Sequence, residues 1–346
     1  MTFPRTGNPD NCRKVEFCDV RDVDSIRVGT RGSALAKTQT EWVVAHIQQQ
    51  GIAVEIIEVS TRGDLRGDIP IRQIGSDGVF VRELELALQT GRIDAAVHSL
   101  KDLPTILTEG LSLAIIPERA TPYDVLVGKT ARTLATMPTG SCVGTSSVRR
   151  EMLLRLERPD LVVKPIRGNV DTRLKNLDAG SCDAIMLAGA GLNRLGLGGR
   201  ITEILAPPRF WPAVGQGALV IQVRTDDDVT KSKLQFLNHA TTHLEIMAER
   251  TCLASLAGGC LVPIGALATH TGQELTLGAC ILEERDGSIR KIEVTLSTSA
   301  SLAQGLSSEQ KATNLGRMVA ARLIEEGALE MLASMRAAEG KQALSG

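Results

Sequence analysis

Two stretches of this sequence combine glycine, hydroxyls and arginine in a way suited to holding anions: Gly29-Thr30-Arg31-Gly32-Ser33 and Gly144-Thr145-Ser146-Ser147-Val148-Arg149-Arg150. Where a strand turns into a helix, free backbone N–H groups and the positive helix end attract carboxylate or phosphate. Ordinary N-capping would account for the hydroxyls of Ser33, Thr145 and Ser146, but it leaves Arg31, Arg149 and Arg150 unexplained. The chain carries a formal net charge of -1, yet between Val143 and Lys175 eight basic side chains face four acidic ones. Arg155 and Arg158 fit a solvated helix face, whereas Arg167 and Arg173 fall at a strand end and in the first turn of the helix after it. Guanidinium forks match two-oxygen acceptors, so a polycarboxylate ligand suits this group better than a single phosphate.

Asp102 follows Lys101 at the end of a buried strand pattern, Ile93 to Val97. An aspartate there could cap a turn or pair with its neighbour. At a cleft lined by arginines it stays ionised, and can steady a developing cation or accept a proton. The seven cysteines include no C-x-x-C pair, which argues against a disulfide framework or a zinc knuckle. Most read as small buried hydrophobes. Cys260 differs because Gly258-Gly259 allows an unusual turn that would present its thiol, where it can be alkylated. His239 and His243 have the i, i+4 spacing of a metal site but no H-E-x-x-H pattern and no evident third ligand, so they read as structural and no metal is expected.

Alternating β-branched runs and amphipathic stretches predict an α/β fold with largely parallel sheets. Strands are expected at Ile26 to Gly29, Ala53 to Val59 and Ile93 to Val97, then at Asp124 to Val127, Ser141 to Gly144, Leu161 to Pro165 and Asp183 to Leu187. Open α/β sheets bind ligands at the C-terminal strand ends, where Lys101 and Asp102 fall. Val28-Gly29-Thr30 is echoed by Val143-Gly144-Thr145, and Asp94-Ala95-Ala96-Val97 by Asp183-Ala184-Ile185-Met186. These echoes fit either two lobes of similar design around a cleft or chance recurrence of common strand-end residues. Thr61 to Ser76, rich in Gly, Arg and Asp, is expected to be a mobile lid. One helix from about Ser232 to Ser255 should lead into an antiparallel meander (Ile264 to Thr269, Glu274 to Glu283, Ser288 to Leu296) and two further helices, giving a small C-terminal α+β domain. The first 25 residues lack periodicity and read as a loosely ordered extension. Near-neutral charge and 2% aromatics argue against a dedicated nucleic-acid binder. No apolar run is long enough to span a bilayer and the N-terminus lacks an apolar signal core, which points to a cytoplasmic protein.

The stretches IRVGTRGSALAKTQT (26 to 40), VHSLKDLPT (97 to 105), VGTSSVRR (143 to 150), IRGNVDTRL (166 to 174), AVGQGAL (213 to 219) and GGCLVPIGA (258 to 266) resemble, in order, those of the porphobilinogen deaminases, or hydroxymethylbilane synthases. The resemblance implies a periplasmic-binding-protein-like pair of lobes: lobe 1 from 26 to 120 with 214 to 235, lobe 2 from 121 to 213, and a third domain from 236 to 346. It implies a dipyrromethane cofactor joined by a thioether to Cys260. Four porphobilinogen molecules would be added head to tail with loss of ammonia, then released as hydroxymethylbilane for tetrapyrrole biosynthesis. Asp102 matches the catalytic aspartate; Lys101, Thr145, Ser146, Arg149, Arg150 and Arg173 match cofactor contacts, and Arg31, Ser33, Arg167, Arg194 and Gln216 match substrate contacts. A monomer acting on a small molecule, without nucleic acid or membrane, is implied. Ala257 departs from the acidic residue often found before the two glycines. The competing class is a non-enzymatic two-lobed receptor for a polycarboxylate, which would have no use for Cys260 on a third domain. Replacing Cys260 with Ser is expected to abolish both a dipyrrole mass adduct and activity, while Cys252→Ser keeps both. A thioether adduct on the Cys260 variant in intact-mass spectra overturns the assignment.

Overall fold

The computed structural model describes residues 25–60, 81–130, 132–256, 262–272, 274–298 and 306–335. The N-terminal extension before Ser25, the expected lid at Thr61 to Ser76, and Ala257 and Cys260 lie outside the described residues.

Short apolar runs flanked by polar turns build a first sheet from β1 (Ser25–Thr30), β2 (Ala53–Glu58), β3 (Ala95–Ser99) and β4 (Leu111–Ile115). The chain then crosses to a second sheet, β5 (Asp124–Gly128), β6 (Cys142–Gly144), β7 (Val162–Lys164), β8 (Ala184–Ala188) and β9 (Glu203–Leu205), and returns as β10 (Leu219–Arg224). The strand orders are β2-β1-β3-β10-β4 and β7-β6-β8-β5-β9, the same design twice. Each sheet is mixed, which corrects the largely parallel expectation: β10 runs antiparallel to β3 and β4, and β5 antiparallel to β8 and β9. The reason is the crossing itself. A chain that leaves one lobe at the C-terminal, cleft-side end of a parallel strand enters the other lobe from that same side, so its next strand must run the opposite way.

The two sequence echoes occupy equivalent places in this design. Val28 pairs with Ala95 and Gly29 with Ala96, as Val143 pairs with Ala184 and Gly144 with Ile185. Asp94 accepts the Arg27 amide (3.0 Å), and Asp183 accepts the Cys142 amide (2.7 Å), so each acid ties the start of its strand to the neighbouring one. Neither glycine could carry a side chain unchanged: a Cβ on Gly29 would press on Ile93 and Leu84, and one on Gly144 would lie 3.2 Å from the Cys182 sulfur.

Helices cover the sheets: α1 (Ala34–Gln49), α2 (Arg82–Gln89), α3 (Val148–Glu157), α4 (Val170–Asp178) and α5 (Gly189–Arg194). The helix expected over Ser232 to Ser255 is two: α6 (Asp228–Leu234) gives way to a 3-10 turn at Gln235–Leu237, and α7 (Ala240–Ser255) starts afresh. Asn238 and His239 make the break. The Asn238 side chain accepts the Ile116 amide (3.0 Å), and His239 caps α7 by accepting the Thr242 amide through Nδ1 (3.3 Å), a structural role for that histidine. Beyond them β11 (Ile264–Thr271), β12 (Glu274–Arg285) and β13 (Ser288–Ser297) form the expected meander, closed at Asp286-Gly287 with Arg285 opposite Ser288. α7 and α8 (Ser308–Glu325) pack their apolar faces on one side of it, through residues such as Ala248, Cys252, Leu315, Val319 and Leu323 against Leu277 and Ala279. Cys280 and Leu282 face the other way, into a core shared with Trp211, Leu153 and Leu154. Arg155 and Arg158 are absorbed structurally, Arg155 by a bidentate pair with Glu284 (2.8 Å each) and Arg158 by Asp160 and the Leu134 and Met137 carbonyls.

Three parts of the chain meet at one buried ion pair. Arg119, just past β4, donates to Glu249 of α7 (2.6 and 3.3 Å) and to the Gln216 carbonyl (2.9 Å), while Glu249 also accepts the Gly215 and Ala268 amides. Removing one member leaves the other charge buried, which costs about 3 to 5 kcal/mol. Arg119→Met is therefore expected to lower stability by that order, read from urea unfolding. A loss below about 1 kcal/mol would show that the pair does not hold the third domain to the crossing segments.

Candidate active site

The crossing segments carry the charge that organises the cleft. Asp124, the first residue of β5, is fully buried and accepts Arg149 Nη1 (2.7 Å), Arg150 Nε (2.9 Å) and Gln216 Nε2 (2.9 Å). Burial alone would push its carboxyl up, but the two guanidinium groups overcome that and hold it below the usual carboxylate range. Arg149 also donates to the Trp211 carbonyl, and Arg150 to the Met186 carbonyl (3.2 Å) and Gln216 Oε1 (3.3 Å). Burial lowers the Arg150 pKa, with Asp124 opposing and Arg149 adding to the effect. The two arginines read from the sequence as anion ligands thus already have protein acceptors, on the first turn of α3 below the hydroxyls.

Gln216 owes its place to two glycines. Gly215 and Gly217 have φ of 71° and 87°, and a Cβ on Gly217 would come within 2.6 Å of the Thr121 carbonyl oxygen and 2.7 Å of that of Ala120. Only glycine lets the two crossing segments lie so close. Gln216, between them, is 1% exposed and also donates to the Pro122 carbonyl (2.8 Å). Arg194, at the end of α5, donates to the Gly217 carbonyl (2.8 Å), and desolvation lowers its pKa to about 10.

Around this buried base the other predicted residues come from separate strand ends. Leu100–Asp102 form a 3-10 turn directly after β3, leaving Asp102 exposed and Lys101 half-buried. Desolvation takes the Lys101 ammonium down to about 8, with Asp102 opposing and Arg150 adding to the fall. Arg173, on α4 of the other lobe, donates to the Gly168 carbonyl (2.7 Å). Its pKa falls to about 10 through burial and the nearby charges of Arg150 and Arg167, and Asp102 opposes this from across the cleft. Asp102, Lys101, Arg150, Arg167 and Arg173 are therefore one electrostatic cluster spanning both lobes. Neither Lys101 nor Arg173 forms a salt bridge to a carboxylate among the described residues. Cations crowded into a desolvated cleft need anions from outside the protein, and carboxylates of a ligand meet that need.

The hydroxyls divide. Ser33 caps α1 by accepting the Ala36 amide (3.3 Å), and Ser147, not singled out from the sequence, caps α3. Ser146 donates to the Ile166 carbonyl (2.8 Å), and the Thr145 hydroxyl accepts the Ser147 amide (3.2 Å). Arg31 is half-buried after β1, close enough to His98 to act on its titration. Sequence reasoning missed Asp124, whose only signal was that two adjacent arginines entering a buried helix turn require a counter-charge. It also missed Ser99, which exchanges hydrogen bonds with Gln39 of α1 (3.0 and 3.2 Å) beside the Asp102 turn.

Residues 26–232 match the family described as "Porphobilinogen deaminase, dipyromethane cofactor binding domain", and residues 243–325 match "Porphobilinogen deaminase, C-terminal domain". The chain belongs to the porphobilinogen deaminase family. A porphobilinogen deaminase of Chromobacterium violaceum is 46% identical over 317 residues, 91% of this chain and 99% of that one. One of Nitratidesulfovibrio vulgaris is 44% identical over 310 residues, 89% and 96% of the two chains. Among solved structures a methionine binding protein, 15% identical, aligns over 62% of this chain and 91% of its own with a TM-score of 0.41, and the two-lobed architecture rests on the sheets described above. Membership in the porphobilinogen deaminase family places a dipyrromethane on this chain, and the cations Lys101 and Arg173, which form no salt bridge to a carboxylate among the described residues, fit such a group.

His98, on β3 four residues before Asp102, is 5% exposed. Burial drives its imidazole down to about 4, Gln222 pulling the other way and Arg31 adding to the fall. It is therefore neutral in the folded protein and spares the cleft another cation. Unfolded histidine titrates near 6.5, so the unfolded chain binds the extra proton; this contribution to stability is complete above pH 6.5 and is lost as pH falls toward 4, by about 2.5 kcal/mol at pH 4.5. Urea unfolding at pH 7 and 4.5 should show a drop smaller by that order in His98→Gln than in the parent. Parallel drops would mean that His98 is not buried in its neutral form.

Proposed function

We infer that this chain joins four porphobilinogen molecules head to tail, with release of ammonia, and then releases hydroxymethylbilane by hydrolysis. The observation that carries this reading is the cluster itself: Lys101 from one lobe and Arg173 from the other both lie in electrostatic reach of the exposed carboxylate of Asp102, in a chain of the porphobilinogen deaminase family. When bound, the dipyrromethane supplies a covalently held primer, so that the chain grows without leaving the protein. Cys260 is the residue we assign to hold it, with Lys101, Thr145, Ser146, Arg149, Arg150 and Arg173 around it. Arg31, Ser33, Arg167, Arg194 and Gln216 are assigned to the substrate side.

Asp102 is the catalytic carboxylate in this reading. Loss of ammonia from an incoming porphobilinogen leaves an electron-poor azafulvene, and a carboxylate within hydrogen-bond reach of pyrrole N–H groups stabilises that cation. The same carboxylate accepts the proton displaced in ring attack. Lys101, with its pKa near 8, offsets the Asp102 charge while remaining mostly protonated near neutrality, so it pairs with a ligand carboxylate without fixing Asp102 in a salt bridge. Arg149 and Arg150 act from below: held by Asp124, they raise the positive potential at the helix start without being free to fold over the ligand. The boundaries at 120/121, 213/214 and 235/236 divide the chain into two lobes and a third domain in this proposal. A monomer working in the cytoplasm, without a nucleic-acid partner, fits the overall charge of -1 and the local nature of the basic cluster. Among the described residues no helix is long and apolar enough to cross a membrane.

A chain that grows one ring at a time presents new carboxylates at new positions, so arginines from separate turns should serve different stages. Each charge-assisted pair is worth roughly 1.5 to 3 kcal/mol, so losing one slows its step by about tenfold to a hundredfold or more. Arg31→Leu is expected to give a holo-enzyme that stalls early and Arg173→Leu a different ring distribution, whereas Arg150→Leu, which strips a counter-charge from buried Asp124 at the helix start, is expected to leave mostly apo-protein of lowered stability. Intact-mass spectra after exposure to porphobilinogen count the rings. If the three variants show the same distribution and differ only in KM, the cleft acts as one diffuse positive field.

A further inference from the structure

One face of α7 lies along lobe 1. His239 and Thr242 engage the segment after β4, where the His239 amide reaches the Ile116 carbonyl (2.8 Å) and the Thr242 hydroxyl accepts the Arg119 amide (3.1 Å). Four residues on, Ile246 is 1% exposed and shares a core cluster with Leu100 and Leu103, which flank Lys101 and Asp102. One further turn along the same face, the Arg250 guanidinium donates through Nη2 to the backbone carbonyls of Pro104 (2.7 Å) and Thr105 (3.3 Å). Arg250 thus grips the chain two and three residues beyond Asp102.

This segment has little packing of its own. Ile106, the next residue, is 86% exposed, so no apolar anchor fixes the segment there. Leu103 holds the near end through its buried side chain and its amide bond to the Leu100 carbonyl (3.1 Å). Beyond it Pro104 lacks an N–H to bond, which leaves carbonyl oxygens as the backbone handle. The two N–H groups of a planar guanidinium Nη2 point in fixed directions, so one nitrogen reaching two successive carbonyls restrains the orientation of the segment as well as its distance.

We propose that Arg250 is a positioning residue for the condensation: it ties the segment that follows Asp102 to the helix that leads into Cys260, so that the carboxylate stays in register with the growing chain. The proposal rests on Asp102 and Cys260 having the roles given above. α7 ends at Ser255, five residues before Cys260 in sequence, so the helix that grips the Asp102 segment is also the one that precedes the cysteine along the chain. Rate in such a site depends on placement to within about 1 Å, and a misplacement of that size costs up to about a hundredfold. The Pro104 and Thr105 carbonyls that Arg250 holds are backbone groups beyond the Asp102 carboxylate, so loss of this grip should slow chemistry more than it weakens binding.

The test uses the full-length holo-protein as parent, Arg250→Met and Arg250→Lys. Intact mass reads the dipyrrole adduct, steady-state rates on porphobilinogen read kcat and KM, and hydrogen exchange reads the peptide covering residues 100–107. Expected in Arg250→Met are a retained adduct, kcat lower by about tenfold or more, KM changed less than about threefold, and faster exchange at 103–107. Arg250→Lys, whose ammonium can reach one carbonyl, should recover part of both kcat and protection. An unchanged kcat with faster exchange overturns the proposal, as does a fall in kcat with unchanged exchange or an activity loss matched by loss of adduct. A parent protein with neither adduct nor activity overturns the functional reading instead. If Arg250→Met does not yield soluble protein, Arg250→Gln, which keeps an N–H donor, is measured against the same expectations.

Discussion

The pairing of Asp124 with Arg149, Arg150 and Gln216 is the interaction on which the rest of the molecule depends. It joins the start of β5, the start of α3 and the second crossing segment at one fully buried point. A carboxylate in that environment is tolerable only because two guanidiniums and an amide saturate it, and the two guanidiniums are tolerable only because the carboxylate is there. The arrangement forces the crossing segments together. Gly215-Gln216-Gly217 can then approach the chain at Ala120 and Thr121, and Arg119 reaches Glu249 from the same region. Lobe 1, lobe 2 and the third domain all meet within this set of contacts, so the cleft above it has a charged, stiff floor.

Such a floor bears on why Lys101 and Arg173 form no salt bridge to a carboxylate among the described residues. Asp124 is spent on the buried arginines. Asp102 lies in electrostatic reach of both Lys101 and Arg173. Burial lowers the pKa of Lys101 and of Arg173, which means that each cation would be more stable with an anion beside it. The neutral state of His98 fits the same pattern, because a protonated imidazole near Arg31 would add repulsion to the cost of burial.

Much of this was legible in the residues. The echo of Val28-Gly29-Thr30 in Val143-Gly144-Thr145 marks equivalent strand ends, because a glycine is needed where the residue before the second echo, Ile93 or Cys182, packs under the strand. The basic run from Val143 to Lys175 divides: Arg155 and Arg158, expected on a solvated helix face, are taken up in structural pairs, Arg149 and Arg150 turn inward to Asp124, and Arg173 lies in electrostatic reach of Asp102. Periodicity could not reveal the crossings. β4, β9 and β10 are short and apolar, and their direction is set by which side of the cleft the chain arrives from, a property of the whole path that no local pattern encodes. The break between α6 and α7 was hidden for a similar reason: Asn238 is an unremarkable polar residue until Ile116, more than a hundred positions away, offers its amide.

The inward turn of Arg149 and Arg150 bears on how one cleft can hold ligands of increasing length. If every arginine pointed into the open cleft, a short ligand would leave most of them mutually repelling in a poorly solvated space, and the cleft would swell or fill with solvent ions. With two of them anchored on the one carboxylate of Asp124, a net positive charge remains at the helix start while their positions are held by that pairing. In the proposed reading the variable part of the charge balance falls on the half-buried groups, Lys101, Arg167 and Arg173. Each added ring brings carboxylates that can replace water around one of these cations. The electrostatic gain is therefore delivered in steps, while the buried floor stays constant from the first ring to the last.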